Sequence, residues 1–307
     1  MTTATGVQGR RVTRAGGAVR VRPLGSSPPR ARRRPRRTGV LWGVVAWLAG
    51  LLFFLPVAWM VLTSLHSEPD AGTNPPAFTA PLTLSGYREF FGASTGVNPL
   101  RPLLNSATAS LASTLLVLLL AIPAAYALSI RPVRKWSDVL FFFLSTKMLP
   151  AVAGLLPIYL FAQHVGLLDN IWLLVVLYTS MNLPIAVWMM RSFLGEIPVE
   201  VLEAASMDGA GLITLFRAII IPLSAPGIAA TSLICFIFSW NEQLFARVLT
   251  GVDSTTAPVF LTSFVTSQGL FLAKVCAAAV AISLPVLVAG FAAQDKLVQG
   301  LSLGAVK

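Results

Sequence analysis

Six long apolar stretches alternate with more polar segments along this chain of 307 residues. A helix needs about 20 mostly apolar residues to cross a bilayer, and each stretch meets that length. The predicted spanning helices are 40–62, 104–128, 139–163, 171–190, 218–240 and 272–293. Composition agrees, because 55% of the residues are hydrophobic and 11% are charged, whereas about a quarter are charged in a soluble domain. We therefore predict an all-α membrane protein with six transmembrane helices.

The N-terminal segment, residues 1–39, differs in charge from the rest of the chain. It contains eleven arginines and no acidic residue, whereas basic and acidic residues after it are equal in number. Its richness in Gly, Pro and Arg predicts a disordered tail, followed by a six-span domain over 40–307. Basic residues beside a first span are retained in the cytoplasm. A cleaved signal peptide, or a tail that binds RNA or anionic lipid, are the alternatives.

The short loops support an orientation with cytoplasmic N- and C-termini. Arg131, Arg134 and Lys135 follow the second span, whereas the turn at 164–170 after the third has no Lys or Arg. This is the bias expected between inner and outer loops. Residues 64–103 then form an outer loop, which we expect to dock against the spans or an external partner and to contain a short helix at 85–91, with Ser85 as its N-cap.

Few residues of the chain could support catalysis or metal binding. His66 and His164 are the only histidines, and Cys235 and Cys276 fall inside apolar stretches, where cysteine acts as a small hydrophobic residue. A phosphate-binding loop needs a Lys directly after Gly, and no lysine of the chain follows a glycine. We therefore predict no catalytic residue, no metal site and no cofactor site here.

Residues 196–222, which we call the elbow, form the longest predicted cytosolic segment between spans. Pro198 is suited to the first turn of a helix, and an apolar stripe follows at Val199, Leu202 and Ala205. Residues 208–211 end this helix, because glycine permits a left-handed turn, and a second helix starts near Leu212. An apolar stripe in water is expected to enter a partner's groove. The alternative is an ordinary loop helix lying against the spans.

The elbow resembles the signature of ABC importer membrane subunits. Glu203-Ala204-Ala205, then Gly209, then Ile219 and Pro222 have its spacing, with Ile221 in place of the usual Leu. The resemblance implies the type I importer permease fold, with a coupling loop at 191–217 that sits in a cleft of an ATP-binding subunit. The coupling residues it implies are Glu203, Ala204, Ala205, Asp208, Gly209, Ile219 and Pro222.

Other segments resemble the carbohydrate, maltose-type branch of these permeases. Residues 239–242 and 244–246 carry that likeness, and residues 146–150, 269–271 and 301–307 look more like permeases for sorbitol and mannitol. The resemblance implies a bacterial inner-membrane protein that works with a sister permease, two copies of an ATP-binding subunit and an extracytoplasmic sugar-binding protein. ATP and Mg²⁺ would be bound by the ATPase, and no nucleic acid partner is implied.

Four residues are candidates for the substrate pathway: Lys147, Asn241, Glu242 and Trp240. Lys147 is an ionisable group inside a span, where it is costly unless it faces a cavity, a partner or the interface, and snorkelling is its alternative. Asn241 and Glu242 could bond sugar hydroxyls or cap a helix. Trp240, like Tyr178, could stack on a sugar ring or belong to the interfacial belt.

Two other function classes compete with the importer interpretation. An ion-coupled secondary sugar transporter would need intramembrane charges and no ATPase, and the elbow signature and the scarcity of acids in the spans argue against it. A membrane scaffold or receptor is the third class. Several prolines within the predicted spans favour kinked, movable helices, although proline is also more common in spanning helices generally.

Overall fold

The computed structural model describes residues 37–73, 79–92, 98–130, 133–266 and 269–304. The tail predicted for 1–39 therefore lies outside the described residues, except for its last three positions, which begin the first helix. The chain divides into two compact units, Met1–Phe53 and Phe54–Lys307. The described part of the first unit is the beginning of an apolar helix, and the sites discussed below lie in the second unit.

Helices make up most of the described residues. In chain order they are α1 (Arg37–Ser64), α2 (Glu68–Ala71), α3 (Ser85–Phe91), α4 (Leu100–Ser129), α5 (Trp136–Thr146), α6 (Ala151–His164), α7 (Ile171–Leu194), α8 (Val199–Met207), α9 (Leu212–Leu215), a π-helix (Phe216–Ile220), α10 (Ile221–Leu223), α11 (Ala225–Trp240), α12 (Leu244–Leu249), α13 (Ala257–Leu261), a 3₁₀ turn (Thr262–Phe264) and α14 (Leu272–Gly304). A short antiparallel pair, β1 (Val265–Thr266) and β2 (Gly269–Leu270), precedes α14.

Four of the described helices are long and apolar enough to cross a membrane alone: α1, α4, α7 and α14. Two bent pairs of helices are also long and apolar enough to cross, if each pair forms one span. The axes of α5 and α6 differ by 79°, and those of Leu212–Leu223 and α11 by 77°. Counting each pair once gives six crossings, so the predicted all-α fold with six apolar segments is confirmed. The two sharp bends are what the hydropathy pattern did not reveal.

Both bends coincide with proline. Pro150 directly precedes α6, and Pro226 is the second residue of α11. A proline in the first turn of a helix loses no hydrogen bond, because the N–H at that position has no helical partner. The other span prolines lie inside continuous helices: Pro56, Pro123, Pro157, Pro184 and Pro285. The fifth span, predicted at 218–240, is therefore not one straight helix, because residues 218–223 lie before the bend.

The centre of the second unit is the contact between α4 and α7. Small buried residues such as Ala121, Ala125 and Ala186 lie there, and small residues let membrane helices approach closely. Polar side chains add bonds between helices. The Asn182 side-chain amide donates to Ser239 Oγ at 2.9 Å, and Ser239 Oγ is 3.1 Å from Ser113 Oγ. These bonds join α4, α7 and α11.

The predicted outer loop docks against α14. The helix predicted at 85–91 is present as α3, although Leu84, and not Ser85, occupies its N-cap position. A side chain at Gly86 would lie 3.1 Å from the Ala273 carbonyl oxygen, so glycine allows α3 and α14 to approach closely. The docking is electrostatic as well, because the Glu68 carboxylate accepts the first free N–H groups of α14, and Lys274 forms an ion pair with Glu89.

A second polar assembly, which we call the outer clamp, joins Asp169 to the loop at 251–254. Asp169 lies in the turn between α6 and α7 and has a positive φ of 55°. Its carboxylate accepts the backbone N–H groups of Gly251 and Ser254, both at 2.8 Å, and of Asp253 at 3.1 Å. A Cβ at Gly251 would lie 2.8 Å from Asp169 Oδ2, so a side chain at Gly251 would displace the carboxylate.

The start of α4 holds the same loop from the other side. Arg101 pairs with Asp253 at 2.7 Å, and the Asn105 amide donates to the Asp253 and Thr255 carbonyl oxygens at 2.9 and 3.0 Å. Burial raises the pKa of the Asp169 carboxyl, but its hydrogen bonds from the loop outweigh burial and hold the pKa below its ordinary value. Asp169 therefore stays ionised in neutral solution.

Candidate functional site

The first helix of the elbow ends in a hydrogen-bonded glycine turn. Gly209 has a φ of +73°. Its N–H donates to the Ser206 carbonyl oxygen at 3.1 Å, and the next N–H, of Ala210, donates to the Ala205 carbonyl oxygen at 3.0 Å. This pair of bonds defines a Schellman motif, which favours glycine at the left-handed position. The predicted helix end is confirmed, and open space surrounds Gly209, so backbone geometry alone restricts this position.

The elbow presents large apolar side chains on its free surface. Met207 is 88% exposed, Ile213 75% and Leu212 59%, and they flank the glycine turn. The predicted stripe is oriented differently: Ala205 is 6% exposed and Leu202 is half-buried, whereas Val199 is 57% exposed. Two of its three residues thus face the protein, as in the alternative of a helix lying against the spans. The surface available to a partner is centred on the turn.

The elbow joins α11 through the bend at Ser224. The Ser224 hydroxyl and N–H both donate to the Ile220 carbonyl oxygen, at 2.6 and 2.9 Å, at the end of the π-helix. Beyond the bend, a Cβ at Gly227 would lie 2.3 Å from Phe193 Cγ of α7. This contact excludes any side chain at Gly227, so the start of α11 packs directly against α7.

The seven predicted coupling residues lie together on the elbow, but they differ in exposure. Ala205 is buried and Ile219 is half-buried. The other five are exposed: Glu203, Ala204, Asp208, Gly209 and Pro222. The predicted coupling loop 191–217 differs from the structure at both ends, because residues 191–194 still belong to α7 and position 217 falls inside the π-helix, which α10 directly follows.

Two of the four pathway candidates line one cavity. Lys147 lies at the break between α5 and α6, and Glu242 follows α11; both contribute to a cavity of about 280 Å³ that we call the polar cavity. Lys147 also lines a neighbouring cavity of about 480 Å³, the break cavity, which includes residues 146–151. Met181 lines both. Irregular backbone is tolerated at membrane depth where it lines a cavity, and these residues meet that condition.

Glu242 also has a structural role. Its carboxylate accepts the backbone N–H groups of Phe245 at 2.9 Å and Ala246 at 3.2 Å, and so caps α12. The helix-capping alternative is therefore present in the structure, although the capped helix is the next one and not α11. A carboxylate held by two N–H groups has a fixed position in the wall of the polar cavity.

The other two pathway candidates are placed differently. Trp240 is 3% exposed, and its indole N–H donates to the Ile282 carbonyl oxygen at 3.1 Å, so it connects α11 to α14. Asn241 is exposed, but its side-chain amide donates to the Ile237 carbonyl oxygen at 2.9 Å, and it lines neither cavity. Contact of either residue with substrate stays a prediction without support from this geometry.

The part of the chain from the second half of α4 to α14, including the elbow, matches a known family. Residues 117–302 match the family described as "Binding-protein-dependent transport system inner membrane component". The chain belongs to this family. It is a multi-pass permease of the bacterial inner membrane and carries no ATPase activity of its own, and the resemblance to the carbohydrate branch of ABC importer permeases is confirmed.

Named relatives cover nearly the whole permease. A "Probable ABC transporter permease protein y4oR" of Sinorhizobium fredii is 36% identical over 268 residues, which are 87% of this chain and 95% of the relative. The "Trehalose transport system permease protein SugB" of Mycobacterium tuberculosis is 30% identical over 274 residues, 88% and 98% of the two chains. The "Diacetylchitobiose uptake system permease protein DasC" of Streptomyces coelicolor is 30% identical over 265 residues, 86% and 94%.

A solved structure has the same fold. A chain from the "Crystal structure of a bacterial ABC transporter involved in the import of the acidic polysaccharide alginate" aligns with a TM-score of 0.67. It is 23% identical, and the alignment covers 85% of this permease and 98% of that chain. This likeness bears on architecture, and it agrees with the type I importer permease fold.

The pathway candidates predicted from the sequence account for only part of the lining of the polar cavity. Asn182 and Ser239 line it together with Tyr178, and neither Asn182 nor Ser239 was a pathway candidate. A signal was available, because Tyr178 and Asn182 are four residues apart, as are neighbours on one face of a helix. They lie in an otherwise apolar span, where polar residues mark bundle interiors or pathways.

Proposed function

We propose that this permease forms a carbohydrate pathway together with a sister permease, and that the elbow couples the pathway to separate ATP-binding subunits. An extracytoplasmic sugar-binding protein delivers the substrate, and two ATPase copies bind the ATP and Mg²⁺. The observation that carries the proposal is the exposed apolar surface at the Gly209 turn, within a segment that has the spacing of the importer signature.

The exposed surface supports a protein partner at this position. Met207, Leu212 and Ile213 stand on both sides of one tight turn, and clustered exposed apolar side chains mark interaction sites. Burying one such side chain contributes about 1.5–3 kcal/mol. The exposed Glu203 carboxylate adds a charge that could meet a basic or polar group of the ATPase. A groove that covers the turn would therefore gain both affinity and orientation.

The proposed mechanism is alternating access. Closure of the ATPase pair on ATP moves the bound elbows together, and the Phe193–Gly227 contact and the bend at Ser224 transmit this movement to α7 and α11. Moving a two-state equilibrium from 1:99 to 99:1 takes about 5.5 kcal/mol. ATP binding to the ATPase subunits must supply this free energy through the elbows, because the permease sequence contains no phosphate-binding loop.

We infer a neutral carbohydrate as the substrate class. Relatives are named for trehalose, diacetylchitobiose, maltodextrin and alpha-glucoside, which favours di- and oligosaccharides. A sugar alcohol such as sorbitol or mannitol, favoured by the likeness of residues 146–150, 269–271 and 301–307, is the second candidate. Competition by each sugar against uptake in vesicles separates the two, because the transported class competes and the other does not.

Co-purification with the ATPase tests the coupling role. Met207→Asp and Ile213→Asp place a charge where the groove would desolvate it, and each should weaken ATPase binding at least about tenfold. Glu203→Lys reverses the charge beside the turn and should weaken binding less. Val252→Asp is the matched control, since Val252 is an equally exposed apolar residue, at 85%, in the loop at 251–254, far along the chain from the elbow.

The same preparations decide between energy sources. ATP enclosed in reconstituted vesicles should drive uptake in the wild type and in Val252→Asp, and should fail to drive it in Met207→Asp. If Met207→Asp and Ile213→Asp retain the ATPase as Val252→Asp does, the elbow is not the docking site. Uptake driven by a proton or sodium gradient without ATP would instead support an ion-coupled secondary transporter.

A further inference from the structure

We propose that the polar cavity and the break cavity together form a sugar-binding site within this permease, in which the Tyr178 hydroxyl bonds a sugar hydroxyl. This inference rests on the proposed function, and it deepens that function by locating substrate recognition on this chain as well as on its partners. Four observations carry it: a buried hydroxyl in the cavity wall, a pair of opposite charges, a broken helix, and the position of the cavity along α7.

The buried hydroxyl is the decisive observation. Tyr178 is 1% exposed, and its side chain lines the polar cavity. Its hydroxyl makes no hydrogen bond of normal geometry within the described part of the chain, and the group that acts on it is the Glu242 carboxylate in the same cavity wall. Leaving a buried hydroxyl unpaired costs about 1–3 kcal/mol. Because that carboxylate is already held by two backbone N–H groups of α12, a ligand hydroxyl in the cavity can give Tyr178 a better-aligned partner. Phenylalanine would fill the same volume without that cost.

The charges of the cavity favour a neutral, hydroxyl-rich ligand. Lys147 and Glu242 line the same polar cavity, and Lys147 forms no ion pair within the described residues. The ammonium group offers donors only, and a carboxylate offers acceptors only. A sugar hydroxyl can both donate and accept, so it can bond either group. A ligand with net charge would instead be repelled by one of the two.

The broken helix adds backbone groups to the wall. Residues 147–150 between α5 and α6 line the break cavity, and no side chain caps the start of α6. The first N–H groups of a helix have no helical partner. Discontinuous helices of this kind form the substrate sites of many membrane transporters, near the middle of the bilayer. Asn182, which also lines the polar cavity, lies halfway along α7.

The size of the two cavities sets the size of the ligand. Their volumes are about 280 and 480 Å³, and Lys147 and Met181 line both. Pockets for small molecules range over about 300–1,000 Å³, so the polar cavity suits one sugar ring and the adjoining break cavity suits further rings. The site should therefore accept a di- or trisaccharide that extends past Met181.

Two variants of the complete transporter in vesicles test this site. Tyr178→Phe removes only the hydroxyl, and should raise the KM for uptake about two- to tenfold with little change in maximal rate. Tyr159→Phe is its matched control, because Tyr159 packs in the same apolar cluster and lines neither cavity. Met181→Trp narrows the passage between the cavities, and should reduce uptake of maltotriose at least about tenfold more than uptake of sorbitol.

Radiolabelled trehalose, diacetylchitobiose, maltotriose, sorbitol and mannitol serve as the probes, and ATPase co-purification is measured on every variant. A Tyr178→Phe permease that matches Tyr159→Phe in KM for every transported probe overturns the site, and so does an equal loss of all sugars in Met181→Trp. Because ATPase binding and wild-type uptake are recorded in parallel, a failure of the coupling role appears in the wild type and stays distinct from a failure of the site.

Discussion

The outer clamp and the elbow differ in how their side chains are satisfied. In the outer clamp, the Asp169 carboxylate accepts three backbone N–H groups, and Arg101 and Asn105 hold the same loop. At the elbow, Met207 and Ile213 are 88% and 75% exposed. Polar bonds within the chain satisfy the outer end, whereas apolar surface at the inner end remains to be covered.

This difference follows from what each end has to do. Charge-assisted hydrogen bonds fix geometry closely, so the outer clamp holds the loop after α12 in one position. An apolar surface gains stability only when a partner covers it, so under the proposed coupling role the elbow transmits force only while the ATPase is bound. Substitutions in the elbow should therefore affect transport, and substitutions in the clamp should affect stability.

The largest effect is expected at the Gly209 turn. Gly209→Val places a β-branched residue at a φ of +73°, a conformation that costs such a residue about 1–3 kcal/mol, so the Schellman motif should open and reorient the exposed turn. ATP-driven uptake should fall at least about tenfold, with little change in the melting temperature of the permease. Uptake in vesicles and a thermal melt measure the two quantities.

Gly211→Val provides the control for this change. Gly211 has a φ of −67° and ψ of 164°, an extended conformation that valine adopts readily, and open space surrounds it. This variant should transport nearly as well as the wild type. Equal uptake by the two variants would show that the left-handed turn is not what aligns the elbow.

The next effect is expected in the outer clamp. Asp169→Ala removes the acceptor of three N–H bonds, and should lower the free energy of unfolding by about 2 kcal/mol. ATPase co-purification should be unchanged, because the elbow is untouched. Asp138→Ala is the control: this exposed acid makes no side-chain bond among the described residues, and its loss should cost less than about 1 kcal/mol. A weaker ATPase complex in Asp169→Ala would contradict the division of roles.

The sequence predicted features that depend on neighbouring residues. The apolar segments follow from hydropathy alone, and the end of α8 follows from the turn chemistry of Gly209. Kinks were predicted for the span prolines in general, but hydropathy did not single out the bends at Pro150 and Ser224, because an apolar window has the same mean hydropathy whether the helix is straight or broken. Proline did not discriminate either, since Pro157 and Pro184 lie inside continuous helices.

Features that depend on contacts between distant parts of the chain could not be predicted from the sequence. Asp169 binds residues more than 80 positions away, and nothing near it in the chain indicates these partners. The pathway candidates differ in whether they line a cavity for the same reason. Glu242 and Trp240 are two residues apart in the sequence. Even so, the Glu242 carboxylate accepts a backbone N–H of α12, and the Trp240 indole N–H donates to a carbonyl oxygen of α14. Which face of a span meets a cavity is set by its neighbours.

Acid should weaken the clamp selectively. The pKa of Asp169 lies below its ordinary value in the folded permease, so its stabilising contribution is fully present above the unfolded pKa of about 3.9 and is lost as the pH falls through the folded pKa. The difference in melting temperature between the wild type and Asp169→Asn should therefore be constant from pH 7 to about pH 5 and shrink below about pH 4. A difference that persists unchanged to pH 3 would show that the charge of Asp169 is not what holds the loop.

The smallest effect is expected for the ion pair at the edge of the clamp. The side chains of Arg101 and Asp253 are 60% and 68% exposed, and exposed pairs contribute about 0–1 kcal/mol. Arg101→Ala should change the free energy of unfolding by less than about 1 kcal/mol, because Asn105 still holds the Asp253 and Thr255 carbonyl oxygens. Thermal melts of the wild type and Arg101→Ala at low and high salt measure this contribution, since salt screens the attraction within an exposed pair. If Arg101→Ala costs as much as Asp169→Ala, the clamp depends on its surface charges and not on the backbone bonds of Asp169, and the contrast with the elbow has a different physical basis.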